Sequence, residues 1–159
     1  MFSTEMKLAL LTVTHRLSGS QVTWAVSGSA ALALHGIAVA PNDLDLETDA
    51  AGAYVIEQRC QDTLIRPVQF IESARIRSHW GALRVGAVQV EVMGHFQVRR
   101  ADGSWQHASD VGRLRQYVEV DKLRVPVMSL PYLRDAYRLL GRTSKADLID
   151  QWLVSHPAR

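Results

Sequence analysis

The stretch that most constrains how this chain can fold runs from Trp24 to Glu47, W-A-V-S-G-S-A-A-L-A-L-H-G-I-A-V-A-P-N-D-L-D-L-E. Residues 22 to 27, V-T-W-A-V-S, have the β-branched and aromatic content of a buried strand. Gly28 then permits a backbone conformation or a close approach that a Cβ would block, and Ser29 stands where a helix begins. Its hydroxyl and the free N–H groups of a first helical turn suit an anion such as a phosphate tail. Beyond Pro41, strand geometry sends Asp43, Asp45 and Glu47 to one face and Leu44 and Leu46 to the other. Carboxylates gathered on one face repel unless a cation sits between them, and hard oxygen ligands suit Mg²⁺. A solvated strand edge is the bland alternative for the same residues.

A chain of 159 residues with 47% hydrophobic content can bury one sizeable core, so one domain over 1–159 is expected. Its 18 basic and 16 acidic residues leave a net charge of +2, too small for a general polyanion binder, although local basic clusters remain able to hold a nucleotide. The single cysteine, Cys60, cannot form an internal disulfide; it reads as a structural thiol compatible with a reducing compartment. The early apolar run L-A-L-L-T-V is short, follows Glu5 and Lys7, and lacks a convincing cleavage site. No segment has the length of a membrane span, and the expected location is cytoplasmic.

Along the chain, residues 4 to 17 place Leu8, Leu11, Val13 and Leu17 at roughly helical spacing, with Ser3 or Thr4 as cap and Gly19 near the end. Ala30 to Leu34 form a compact helix stopped by His35-Gly36, and His35 is read as structural because it has no visible partner. Residues 50 to 61 form a second helix with Asp49 as its cap. V-Q-F-I-E-S, A-R-I-R-S-H-W and G-A-L-R-V fit strands or strand edges. If residues 74 to 79 are extended, Arg75, Arg77 and His79 share a face, either as a basic row that orients phosphates or an acceptor, or as an ordinary solvated surface. Val85-Gly86-Ala87-Val88 is a hairpin connection. It leads into V-Q-V-E-V-M, where Val88, Val90 and Val92 face the core, Gln89, Glu91 and Met93 face the other side, and Gly94-His95 closes the strand. Residues 99 to 115 read as a hairpin excursion or flap with a turn at Asp102-Gly103. A second short hairpin turns at Asp121-Lys122. Ser129 and Pro131 open a helix carrying Leu133, Ala136, Tyr137 and Leu140 on one face, and a last helix spans about Ser144 to Val154, with Leu148, Ile149, Trp152 and Leu153 read as core.

The pattern Gly-Ser, spacer, Asp-hydrophobic-Asp-hydrophobic resembles the signature of the polymerase-beta-like nucleotidyltransferase superfamily, and the chain is similar to small bacterial proteins related to the aminoglycoside and lincosamide adenylyltransferases. The likeness runs through H-G-I, N-D-L-D-L-E-T-D, G-A-Y-V-I-E and P-V-M-S-L-P-Y-L, roughly residues 22 to 150. It implies an α/β (α+β) fold, a mixed sheet flanked by helices with a C-terminal helical pair. It also implies transfer of a nucleoside monophosphate from a nucleoside triphosphate, expected to be ATP, with two Mg²⁺ ions. By this resemblance Asp43 and Asp45 match the metal-binding pair, and Glu91 between Val90 and Val92 matches the third carboxylate. Gly28 and Ser29 match the phosphate turn, Arg142 and Lys145 fall near the nucleotide, and Arg77 is the basic row's contribution to it.

Other motifs fail on stated grounds. No Gly-Lys-Ser/Thr follows Gly28 as a P-loop needs, Ser27 and Ser29 lack a hydrolase elbow's flanking glycines, and Thr48 and Tyr54 stand where an EF-hand wants glycine and glutamate. One cysteine and scattered histidines give no zinc spacing. The competing functional class is a non-catalytic nucleotide-binding or regulatory module that keeps the fold. Antibiotic-modifying relatives are expected to carry a further helical portion for the acceptor and a basic residue before the aspartate pair, whereas I-A-V-A-P-N fills that loop here. The acceptor stays open between a small-molecule hydroxyl, a protein side chain and an RNA end, and homodimerisation stays open as well; a membrane partner is not expected.

Overall fold

The computed structural model describes residues 2–157. In chain order the elements are α1 (Thr4–Leu17), β1 (Trp24–Ser27), α2 (Gly28–Leu34), β2 (Leu44–Thr48), α3 (Ala50–Arg59), β3 (Leu64–Glu72), β4 (Ile76–Val85), β5 (Val88–Val98), α4 (Val111–Leu114), β6 (Arg115–Val120), β7 (Leu123–Met128), α5 (Leu130–Leu139) and α6 (Thr143–Ser155). A 3₁₀ turn at Gln61–Thr63 leads into β3.

The seven strands form one mixed sheet in the order β3-β4-β5-β2-β1-β7-β6. The aspartate strand β2 is therefore central, parallel to β5 and antiparallel to β1. Its alternation explains the position: Leu44 and Leu46 are fully buried, and their ladder partners Val90 and Val92 are fully buried on the same face. Helix α3 covers that face farther along β5, where a Cβ on Gly94 would meet Ala53 Cβ and the Asp49 carbonyl, both at 2.7 Å. Helix α5 lies on the opposite, carboxylate-bearing face, since its Tyr132 reaches Glu47. Truncating Leu46 to alanine leaves a cavity at the centre of the sheet. We expect a loss of about 2–5 kcal/mol, read from chemical denaturation as a lower midpoint at unchanged slope.

Local signals account for most element ends. Ser3 Oγ accepts from Met6 N–H at 3.0 Å, and Asp49 Oδ1 from Gly52 N–H at 2.6 Å, so both expected caps are formed. The β6–β7 hairpin turns on Asp121 and Lys122, both at positive φ, which suits a two-residue turn between twisted strands. His35 is structural as expected: its Nε2 lies 2.9 Å from the Met128 carbonyl, tying the end of α2 to the end of β7, and burial holds its pKa below the usual histidine value.

Three expectations need correction. The buried stripe of α1 is Met6, Leu10, Val13 and Leu17, while Leu8 is 63% exposed, because the same apolar run satisfies helical spacing in more than one phase. Strand β5 does not close at Gly94-His95; it continues to Val98 through an irregularity that carries His95 at φ 54° and shifts the β4–β5 register between Arg77 and His79. Leu148 of α6 is 38% exposed; the helix buries Ala146 and Ile149 and packs Trp152 and Leu153 against the core. Among the described residues, no helix is long and apolar enough to cross a membrane.

Candidate active site

Backbone register assembles the site. Ser27 lies opposite Asp45 across the β1–β2 ladder, and Asp45 lies opposite Glu91 across the β2–β5 ladder. Partners in a ladder point to the same face, so the second aspartate meets the third carboxylate because β2 and β5 run in parallel at this register. Asp43 stands one residue before β2 and joins them. The three residues offer carboxylate oxygens that lie within 4.8 Å of one another. Gln89 Nε2 donates to Glu91 Oε1 at 3.3 Å and steadies it.

Gly28 is demanded twice. Its φ is +61°, and a Cβ at this position would fall 2.3 Å from Asp45 Oδ2. The turn thus passes directly against the carboxylate cluster. The next residue, Ser29, accepts a hydrogen bond from Lys145 Nζ of α6 at 2.7 Å, and the same ammonium lies 5.3 Å from the centre of the Tyr137 ring. Arg142 lines the same cleft, whose volume is about 620 Å³.

Burial, then the charges of Asp43 and Glu91, push the Asp45 carboxyl up to about 7, against a smaller opposing pull from Lys145. A site that resists holding its own charges is one a divalent cation relieves, and three hard oxygen donors fit Mg²⁺. The sign of the pH effect follows. The folded chain holds the Asp45 proton to about pH 7 while the unfolded chain releases it near pH 4, so without metal this group's stabilisation is present below pH 4 and lost as pH rises through 7. A cation competes with that proton. Added Mg²⁺ should therefore raise the melting temperature at pH 8 and have little effect at pH 5. Thermal scans in chelator and in Mg²⁺ test this, and an equal increment at both pH values would contradict it.

Glu47, the third acidic residue of the β2 alternation, does not join the cluster. It is 2% exposed and accepts hydrogen bonds from Tyr132 of α5 and, at 2.8 Å, from Ser109 Oγ. Burial raises its pKa, and these hydroxyls oppose the shift. Neither Ser109 nor Tyr132, although the latter lies in the P-V-M-S-L-P-Y-L stretch, was singled out as a site residue, since a serine in an irregular segment and a tyrosine on an amphipathic helix are ordinary. Arg77 also lies outside the cleft. Its Nε donates to Gln97 Oε1 at 2.8 Å, its guanidinium lies 4.4 Å from the Trp105 ring centre, and it pairs with Glu72 at 3.5 Å. The basic row is broken in the same way: Arg75 sits in the turn before β4, and His79 turns to Tyr54 of α3, with Nδ1 2.8 Å from the hydroxyl. The extended stretch begins only at Ile76 and its register shifts between Arg77 and His79, and pairing with β5 sets which face of β4 meets the carboxylates. Ile76, Met93 and Phe96, which line the cleft, were not singled out in the sequence as site residues.

The family model for aminoglycoside-2''-adenylyltransferase matches residues 9–152. The chain belongs to that family. A Thermotoga maritima protein solved as a candidate nucleotidyltransferase is 35% identical, with 98% of this chain and 97% of that one aligned and a TM-score of 0.86. ANT(2")-Ia in complex with adenylyl-2"-tobramycin aligns at 12% identity over 92% of this chain and 89% of its own, with a TM-score of 0.58. The lincomycin-bound lincosamide antibiotic adenylyltransferase LnuA aligns at 12% identity over 92% and 96%, with a TM-score of 0.56. No curated protein matches the chain significantly. The last two likenesses establish the adenylyltransferase fold. The mixed sheet, flanking helices and C-terminal helical pair expected of a nucleotidyltransferase are all present.

Proposed function

We propose that this family member transfers AMP from ATP to an acceptor hydroxyl with Mg²⁺ as the metal. The observation that carries the reading is the convergence of Asp43, Asp45 and Glu91 beside the Gly28-Ser29 turn, with Lys145 on the Ser29 hydroxyl. Asp43, Asp45 and Glu91 would hold a pair of Mg²⁺ ions, which supply charge neutralisation of the triphosphate and a lowered pKa for the acceptor hydroxyl.

The chain's own groups do the rest. Ser29, Lys145 and Arg142 bind the β- and γ-phosphates, so the departing pyrophosphate rests against the turn and α6. The acceptor oxygen bonds to the α-phosphorus as the bond from that phosphorus to the bridging oxygen breaks. Pyrophosphate carries away the electron pair, and Glu91 accepts the acceptor's proton.

Calorimetric titration with a non-hydrolysable ATP analogue, in Mg²⁺ and in chelator, tests the binding half. Binding should require the metal and be lost in Asp45→Asn. Equal affinity in chelator would count against the reading, as would undiminished binding by the variant.

A further inference from the structure

Resting on the nucleotidyltransfer reading, we propose that the acceptor is a hydroxyl compound with an apolar body and no cationic group, seated against Ile76, Met93 and Phe96, and not a polyamine. In-line displacement sets which side of the cleft the acceptor enters. The pyrophosphate leaves toward Gly28-Ser29 and Lys145, so the attacking oxygen must come from the opposite side of the α-phosphorus. The sheet order places β1, which delivers Gly28, on one side of β2, and β5 and β4 on the other. The acceptor therefore meets the β5–β4 side, where the cleft is walled by Met93 and Phe96 of β5 and Ile76 of β4, all half-buried.

Charge decides against a polyamine. An acceptor with several protonated amines needs carboxylates to replace the water it loses. The carboxylates among the described residues lining this cleft are Asp43, Asp45, Glu91 and Glu47. The first three are committed to metal and proton transfer, and Glu47 is buried under the Tyr132 and Ser109 hydroxyls. The cleft's charged side chains other than these are cations, Arg142 and Lys145. A third cation, Arg75, precedes Ile76 and donates through Nη2 to the Leu139 carbonyl at 3.3 Å, which brings it beside the end of α5. With Arg142 and Lys145 engaged by the phosphates on the other side, an ammonium entering here meets an apolar wall and finds no uncommitted carboxylate among the described residues lining the cleft. A neutral alcohol with an apolar body buries that body on the wall and presents its oxygen to the carboxylates.

The test uses the unmodified protein saturated with Mg²⁺ and α,β-methylene-ATP, and three probes followed by calorimetry at pH 7.5. These are para-nitrophenyl β-glucoside, its 6-amino-6-deoxy analogue, which differs by one protonated amine, and tobramycin. The neutral glycoside should bind, and the amine analogue and tobramycin should bind at least about tenfold more weakly. Tobramycin or the amine analogue binding as tightly as the neutral glycoside would overturn the assignment, and so would failure of the neutral glycoside to bind. Failure of the nucleotide analogue to bind in Mg²⁺ appears before any probe is added, and it removes the nucleotidyltransfer reading together with the acceptor assigned to it.

Discussion

Asp45→Asn is expected to reduce nucleotide transfer by at least about a thousandfold while raising the melting temperature of the metal-free protein at pH 8. The activity loss corresponds to the several kcal/mol that metal-held charge contributes to such a transition state. The stability gain has a separate cause. At pH 8 the wild-type Asp45 is ionised in a buried position beside Asp43 and Glu91, against a preference for its proton that extends to about pH 7. An uncharged amide of nearly the same shape removes that repulsion and creates no cavity, since the packing of β2 is carried by Leu44 and Leu46. We expect a gain of about 1–3 kcal/mol, or roughly 3–10 °C for a chain of this size. At pH 5 the wild-type carboxyl is already protonated and the two proteins should melt close together. Activity and stability measured on the same preparation decide the matter: a protein in which those aspartates serve a structural role would lose stability in the variant.

Gly28→Ala is the second large effect, and it couples the backbone to the chemistry. Alanine at φ +61° costs about 1–2 kcal/mol by itself, and its methyl group would fall 2.3 Å from Asp45 Oδ2. Either the turn or the carboxylate must move, so we expect a total loss of about 2–4 kcal/mol. Moving either displaces a group that must be placed within about an ångström, so transfer should fall by about a hundredfold or more. A double-mutant cycle separates the two costs. In an Asp45→Ala background the carboxylate is gone, and Gly28→Ala should then cost only the backbone part. Additive energies across that cycle would show that the two residues do not crowd each other.

The short β6–β7 hairpin, the caps at Ser3 and Asp49 and the valine alternation of β5 were all legible because each depends on residues a few positions apart. Helix α1 shows the limit of such reading. Its span was correct to the residue, yet its buried face was not, since an apolar-rich helix offers several stripes and the sheet selects one.

Strand alternation and local backbone geometry made the Gly28-Ser29 turn and the shared face of Asp43 and Asp45 legible from residues close in the chain, while the mixed sheet and the place of Glu91 as third carboxylate came from the resemblance to the nucleotidyltransferase superfamily. Only the tertiary structure decided what each side chain faces across a ladder. It sent Arg77 to Gln97 and Trp105, buried Glu47 under Tyr132 and Ser109, and brought Lys145 onto Ser29 across 116 residues of chain. Those outcomes depend on which strand pairs with which and where α5 and α6 dock, and such long-range pairings are set by the burial of the whole core, not by any one segment.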